Sequence, residues 1–165
     1  MRGHRGHRRA EREKMGLMLS QKARYALRAL LAMAEAGPGR TLLVNDIARE
    51  HRIPKPFLDQ ILLDLKHHGI VQSKRGRSGG YSLLKPASEI TFGEVLRIID
   101  GPIAPLPCLS KMAYRRCDDC TSEEACEVRR VFARVASATR NVLDRTSIAD
   151  ALADGTADQA ARIAS

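Results

Sequence analysis

The fold is decided by the stretch from Ile53 to Tyr81, IPKPFLDQILLDLKHHGIVQSKRGRSGGY. Its first half predicts a helix that opens at Pro54 and Pro56, because the first turn tolerates proline. One apolar stripe follows at helical spacing, made of Phe57, Leu58, Ile61, Leu62 and Leu65. Gly69 is placed to end the helix. From Ile70 the period changes from 3.6 to 2, which predicts a β-hairpin with a glycine-rich, basic tip.

Further helices are predicted on both sides of this stretch. One covers about residues 21–36, a short one covers 44–50, and Thr91 with Glu94 forms a capping box that starts a helix ending at Ile99. A long helix is expected from about Ser122. The expected fold is mainly α with a small β-hairpin, a winged helix-turn-helix plus a long dimerisation helix. The predicted parts are a disordered basic tail (1–17), the winged-helix domain (18–100), a cysteine-rich loop (101–126), the dimerisation helix (122–150) and a flexible tail (151–165).

The charge balance favours a polyanionic partner. The 165 residues contain 28 Lys and Arg against 19 Asp and Glu, a net charge of +9. Residues 1–17 hold six of these bases and two of the acids, so the rest of the chain is basic on its own account. Nucleic acid is the leading candidate. No apolar run is long enough for a transmembrane helix and no secretory signal is evident, so a cytoplasmic protein that does not bind membranes is expected.

The helix and the hairpin carry the residues expected to contact DNA. A helix in the major groove presents the side chains of its N-terminal end to base edges, and here these are Lys55, Asp59 and Gln60. An acidic side chain in this position suits the N4 amino group of cytosine. The hairpin tip offers Lys74, Arg75 and Arg77 to phosphates or to a minor groove.

Four cysteines lie close together after the predicted winged helix. Their spacing is Cys108-x8-Cys117-x2-Cys120-x5-Cys126, in a loop without periodic pattern. A disulfide framework is not expected in a reducing compartment. Thiolate coordination is shared by zinc and iron–sulfur clusters, and the ligand count does not choose between them. Ordinary buried or redox-active thiols are the remaining alternative.

An enzymatic function has little support. The motif Cys117-x-x-Cys120 could belong to a thiol oxidoreductase, but that chemistry requires the motif at a helix start after a strand, and the preceding residues 111–116 do not predict a strand. Gly76, Gly79 and Gly80 do not lead from a strand into a helix, so they do not form a phosphate-binding loop. The chain is therefore not expected to be an enzyme.

The long helix carries more apolar residues than a small domain can cover. They are Val131, Phe132, Val135 and Val142, and they predict a contact with a second copy of the chain.

Four segments together resemble one protein family. They are residues 19–27 (LSQKARYAL), 46–48, 53–62 and 65–81. Over about residues 18–145 the chain is similar to the IscR/NsrR-type (Rrf-two family) winged-helix transcription regulators of bacteria. This resemblance implies a homodimer, a dimerisation helix after the cysteine loop and double-stranded operator DNA as the target, bound as a repressor or an activator. It places Asp59 at the acidic position of the reading helix and makes Arg75 and Arg77 the wing arginines.

The resemblance also favours an iron–sulfur cluster over zinc. Sensors of this family hold a cluster, [2Fe–2S] or [4Fe–4S], on three cysteines of this loop, whose spacing matches Cys108, Cys120 and Cys126. The chain departs from the family at the fourth ligand, because the two positions used there are Arg129 and Arg24. Cys117 is the extra thiol that could replace it. A zinc-based or thiol-based redox sensor that binds DNA is the alternative.

Overall fold

A computed structural model describes residues 19–76 and 79–163, with side chains described as far as residue 155. Its helices are α1 (Gln21–Ala36), α2 (Val44–Glu50), α3 (Lys55–His67), α4 (Phe92–Ile99), α5 (Glu127–Arg145) and α6 (Ile148–Ile163). Strands β1 (Val71–Lys74) and β2 (Gly80–Leu83) form an antiparallel hairpin. The predicted tail (1–17) and Arg77 lie outside the described residues.

The core is aliphatic and is built around α1. Ser20 caps this helix by accepting a hydrogen bond from the Ala23 amide at 2.9 Å. Helices α3, α4 and α6 and strand β2 all pack on α1. The largest fully buried side chains are Leu30, Met33, Ile47, Leu58, Ile61, Leu62, Leu65, Ile70, Ile90, Ile148, Val71 and Val95.

A tight turn joins α2 to α3 and sets their relative orientation. The Ile53 amide donates to the Ala48 carbonyl at 2.9 Å, and the buried Ile53 side chain anchors the turn in the core. Arg52 in this turn has a positive φ of 52°. This left-handed conformation is unfavourable for every residue that has a Cβ atom. An ion pair of 2.7 Å between Lys22 and Asp64 ties α3 to α1.

The junction between α3 and the hairpin is a Schellman motif, as the position of Gly69 predicted. Gly69 has a φ of +70°, its amide donates to the Lys66 carbonyl at 3.0 Å, and the Ile70 amide donates to the Leu65 carbonyl at 2.9 Å. The hairpin follows at once, with Val71 opposite Leu83 and Lys74 opposite Gly80.

A third segment pairs with the hairpin and requires a glycine. The Leu42 amide donates to the Tyr81 carbonyl at 2.8 Å, and the Tyr81 amide returns a bond of 2.9 Å to the Leu42 carbonyl. A Cβ on Gly80 would collide with that Leu42 carbonyl, and the φ of Gly80 is +143°. Only glycine therefore fits at this position of the wing.

Helices α4 and α5 are held together at close range. Thr91 caps α4 by accepting from the Glu94 amide at 3.2 Å, which confirms the predicted capping box on the threonine side. Arg97 of α4 pairs with Asp144 of α5 at 2.6 Å. A Cβ on Gly93 would collide with the Asp144 carboxylate, so the glycine permits this approach.

The C-terminal part differs from the sequence prediction. The long helix begins at Glu127 instead of Ser122 and ends at Arg145, and a further helix reaches Ile163 where a flexible tail was expected from residue 151. The reason is tertiary: the Phe92 amide donates to the Thr146 carbonyl at 3.0 Å and the Ile148 amide to the Ile90 carbonyl at 2.9 Å. These bonds turn the chain between α5 and α6, and Ile148 is fully buried in the core. None of the described helices combines the length and apolar character needed to cross a membrane.

Candidate functional site

The predicted reading residues lie together on the exposed N-terminal part of α3. Lys55 and Asp59 are each about half exposed and form an ion pair of 2.9 Å along the helix. The Gln60 amide group donates to the Asp64 carboxylate at 3.1 Å. In the protein without DNA, these polar groups therefore bind one another. Exposed ion pairs and hydrogen bonds of this kind are weak, so contacts with DNA bases could replace them at little cost.

The wing lies beside α3. Lys66 near the end of α3 donates to the Ser73 hydroxyl on β1 at 2.7 Å, which ties the hairpin to the helix. Lys74 and Arg75 are exposed where the hairpin turns. A Cβ on Gly79 would lie 2.6 Å from the Lys74 carbonyl, so a glycine is needed to close the tip. Lys74 and Arg75 are therefore two exposed basic side chains at the tip of the hairpin. Arg77 lies outside the described residues.

Two residues of this surface were not assigned to it from the sequence. Phe57 was predicted to belong to the buried stripe of α3, and this prediction is wrong, because 59% of the residue is exposed. Arg52 is exposed in the turn before α3, at its positive φ. A helical wheel places Phe57 at the edge of the apolar stripe, about 100° from Leu58, and this was the available signal. No sequence signal marked the conformation of Arg52.

The cysteine loop connects α4 to α5, and its four thiols have different surroundings. Cys108 is buried in a short 3-10 turn (Pro107–Leu109) that packs against α5. Cys117 and Cys120 are half-buried and stand on either side of a turn closed by the Cys120 amide and the Cys117 carbonyl, 3.2 Å apart. Cys126 caps α5, with its Sγ accepting from the Arg129 amide at 3.4 Å. All four are free thiols.

Three of the thiols influence one another. Cys108 and Cys120 lie near Cys117. Partial burial raises the pKa of the Cys117 thiol above its ordinary value, and the nearby Cys108 and Cys120 raise it further, since a like charge disfavours ionisation. Arg116 holds the Cys117–Cys120 turn by donating to the carbonyls of Cys120 and Thr121 at 2.9 and 3.0 Å.

The donor set fits a thiolate-bound group in its chemistry, since four free cysteines lie within one loop. Its arrangement is not that of a preformed mononuclear site. Within the residues that the structure describes, no three His, Cys, Asp or Glu side chains come close enough to hold one metal ion. The Cys126 sulfur accepts the Arg129 amide at the start of α5, and a sulfur that ligates a metal can keep such a hydrogen bond, so its capping role is compatible with binding.

The two arginines at the family's usual fourth-ligand positions have other contacts. Arg24 is exposed on α1 and donates to the Gln21 side chain. Arg129 on α5 lies 3.6 Å from the Glu123 carboxylate, which also accepts from the Tyr114 hydroxyl at 2.5 Å. The Arg129 Nε is buried and has no hydrogen-bond partner among the described residues. Asp118 and Asp119 between the thiols are exposed.

One exposed strip of α5 is apolar. Only Ala136 of its nineteen residues is buried. Val128, Val131, Val135 and Val142 are 56%, 59%, 36% and 62% exposed, and their spacing places them on one side of the helix. Phe132, which was predicted to share this side, is half-buried.

Fold and surface together define a winged-helix DNA-binding protein, and comparisons with known proteins agree. The model of the Rrf2 family, described as iron-dependent transcriptional regulators, matches residues 19–154. An rrf2-like HTH-type transcriptional regulator of Rhodobacter capsulatus is 49% identical over 141 residues, which are 84% of this chain and 94% of that protein.

Solved structures of transcriptional regulators have the same fold. CymR, the global cysteine regulator of B. subtilis, aligns with a TM-score of 0.68 at 28% identity, over 81% of this chain and 95% of that one. IscR of T. potens aligns with a TM-score of 0.66 at 25% identity, over 86% and 90%. The chain belongs to the Rrf2 family of transcriptional regulators. The resemblance, the winged-helix fold and the absence of an enzymatic role are thereby confirmed.

Proposed function

We propose that the chain is a cytoplasmic, homodimeric regulator that binds operator DNA in a sequence-specific way and responds to an iron–sulfur cluster on its cysteine loop. The observation that carries the proposal is the position of four free thiols between α4, part of the winged helix, and α5, whose valines are exposed with respect to the described residues. A change in the loop therefore acts on both helices at once.

DNA recognition is assigned to α3 and the wing. Lys55, Asp59 and Gln60 lie at the exposed N-terminal end of α3, where a reading helix contacts base edges. Lys74 and Arg75, with Arg77, supply phosphate contacts from the wing, and such contacts make binding dependent on salt.

Dimerisation is assigned to α5. Four valines with large exposed fractions on one helix face are costly in water, and pairing with the same face of a second copy would bury them. A two-fold dimer of this kind presents two reading helices to the two halves of a palindromic operator.

The cluster would be held by Cys108, Cys117, Cys120 and Cys126. An iron–sulfur cluster supplies a redox-active centre whose potential is set by its ligands, and all-cysteine ligation gives a lower potential than partial histidine ligation. The chain's own part is to gather the four thiols. Cys108 is fixed on α5 by the 3-10 turn, Arg116 holds the Cys117–Cys120 turn, and Cys126 marks the first turn of α5.

The signal reaches DNA only through a difference in affinity. A bound group shifts the equilibrium between two conformations by the ratio of its affinities for them. A group bound through Cys126 would act directly on the first turn of α5, and α5 is joined to α4 by the ion pair between Asp144 and Arg97. Repressor action follows where the operator overlaps a promoter.

A thiol-based sensor without a cluster is the second candidate, and the proximity of Cys108 to Cys117 favours it. Two neighbouring thiols can be oxidised to a disulfide by a peroxide, which takes up the two electrons and both protons. Zinc on the same thiols is a further alternative for the bound group.

One experiment separates these functions. The protein is purified without oxygen, and its ultraviolet–visible spectrum, iron, acid-labile sulfide, zinc and free thiols are measured. The cluster proposal expects visible absorbance with iron and sulfide in comparable amounts. Zinc without sulfide, or four titratable thiols without metal, contradicts it and supports the corresponding alternative.

The fourth ligand is tested by Cys117→Ala with Ser122→Ala as the control in the same loop. The proposal expects that the cysteine variant loses its visible absorbance or becomes labile to air while the control keeps it. A full, air-stable cluster in Cys117→Ala shows that the fourth ligand comes from elsewhere.

A further inference from the structure

We infer that Phe57 recognises the 5-methyl group of a thymine in the operator, an inference that rests on the proposed DNA-binding function. Phe57 lies in the first turn of α3, and 59% of it is exposed, whereas its neighbour Leu58 is fully buried. Its amide is bonded to the Pro54 carbonyl at 3.0 Å, so the backbone of this turn is fixed.

The chemistry of the side chain selects the group that it can read. A phenyl ring has no hydrogen-bonding atom, so it cannot bind the donors and acceptors on base edges. In the major groove only thymine presents an apolar group, the 5-methyl, and phenylalanine is among the residues that contact it. Contact removes apolar surface of both partners from water, which favours binding.

The neighbouring residues indicate a nucleic-acid partner for the ring. Gln60 lies three positions later and is also exposed, so both side chains occupy adjacent positions on the helix surface. A glutamine amide reads adenine through N6 and N7, so one A·T pair, or two adjacent ones, offers a partner to each residue. Arg52 and Lys55 are exposed and precede Phe57 by five and two positions, so positive charge lies at this end of α3, which suits DNA better than an apolar protein surface.

The test starts from duplexes that wild-type protein selects from a random pool. In the preferred site each thymine is replaced, one at a time, by deoxyuridine, which lacks only the methyl group. Affinities are measured for wild-type protein, for Phe57→Ala, and for Leu63→Ala as a control, since Leu63 is also exposed on α3 but lies nearly two turns later. Equal unfolding midpoints confirm that the variants fold.

Wild-type protein should lose about fourfold in affinity at one deoxyuridine position per half-site, the value of one buried methyl group. Phe57→Ala should bind the thymine site at least that much more weakly and be insensitive to the same replacement, while Leu63→Ala should behave like wild type. The inference is overturned if no deoxyuridine position separates wild type from Phe57→Ala, or if Phe57→Ala binds as tightly as wild type, as expected for a protein contact. Wild-type protein that selects no sequence contradicts the proposed function itself, a result distinct from both.

Discussion

The turn between α2 and α3 allows backbone strain and DNA contact to be separated at one residue. Arg52 has a φ of 52° and an exposed side chain, and the turn it occupies precedes the reading helix directly. Two replacements remove the same charge: Arg52→Ala keeps the strain of an L residue at positive φ, and Arg52→Gly relieves it. The pair therefore isolates the backbone term.

The magnitudes follow from the conformation. An L residue in the left-handed region destabilises the folded state by roughly 1–2 kcal/mol. Glycine removes this strain, but its greater freedom in the unfolded chain lowers the stability of the variant by roughly 0.4–1 kcal/mol. Arg52→Gly should therefore be more stable than Arg52→Ala by about 0.5–1 kcal/mol, or roughly 1–4 °C in Tm for a chain of this size. Both variants should lose the same DNA affinity, and the slope of log affinity against log salt should become less steep by about 0.9 for each lost phosphate contact.

Urea unfolding measures the difference in stability between the two variants. Both are studied at the same protein concentration, because the stability of a dimer depends on concentration. DNA binding between about 50 and 200 mM salt measures the second. Equal stability of the two variants would refute the argument from backbone strain. An unchanged salt slope would show that Arg52 does not contact phosphate, whatever the stability result.

Three further predictions address the dimer, the wing and pH. Val135→Glu should give monomers in sedimentation and abolish binding to a palindromic site, while Ser137→Glu, exposed on another side of α5, should remain dimeric; a monomeric wild type contradicts this. Arg75→Ala should make the salt slope of DNA binding less steep by about 0.9 per protomer, and an unchanged slope excludes a phosphate contact. The hydrogen bond from Lys22 lowers the pKa of Asp64, so this carboxylate stabilises the fold above its ordinary pKa and loses that effect as pH falls through the lowered value. Asp64→Asn should flatten the acid limb of stability against pH.

Local signals predicted most of the winged helix. Gly69 identified the end of α3 because a Schellman motif needs a residue at positive φ at that place. Thr91 identified the start of α4 because its hydroxyl can accept from the amide three residues later. Each of these features depends on a few consecutive residues, so the chain carries the information locally.

Features that depend on distant segments were not predicted. The break between α5 and α6 depends on bonds from Phe92 and Ile148 to partners that are remote in sequence, and the local pattern allows a continuous helix. Phe57 looked like a core residue because its type is apolar, whereas its exposure is set by how α3 lies on the other helices. For the cysteine loop the spacing gives the ligand types, but the proximity of Cys108 to Cys117 follows from the course of an irregular chain.

The positions of the ends of α5 determine how the loop and the reading surface can communicate. Nineteen residues of helix span about 28 Å, with the Cys126 cap at one end and the bonds of Asp144 and Thr146 to α4 at the other. Helix α4 packs on α3, so α5 is linked to the reading helix through a single packed neighbour. A second link is shorter: Asp100, at the end of α4 where the loop begins, accepts from the Ser20 hydroxyl that caps α1. Since α1 pairs with α3 through Lys22 and Asp64, both links from the cysteine loop converge on α3.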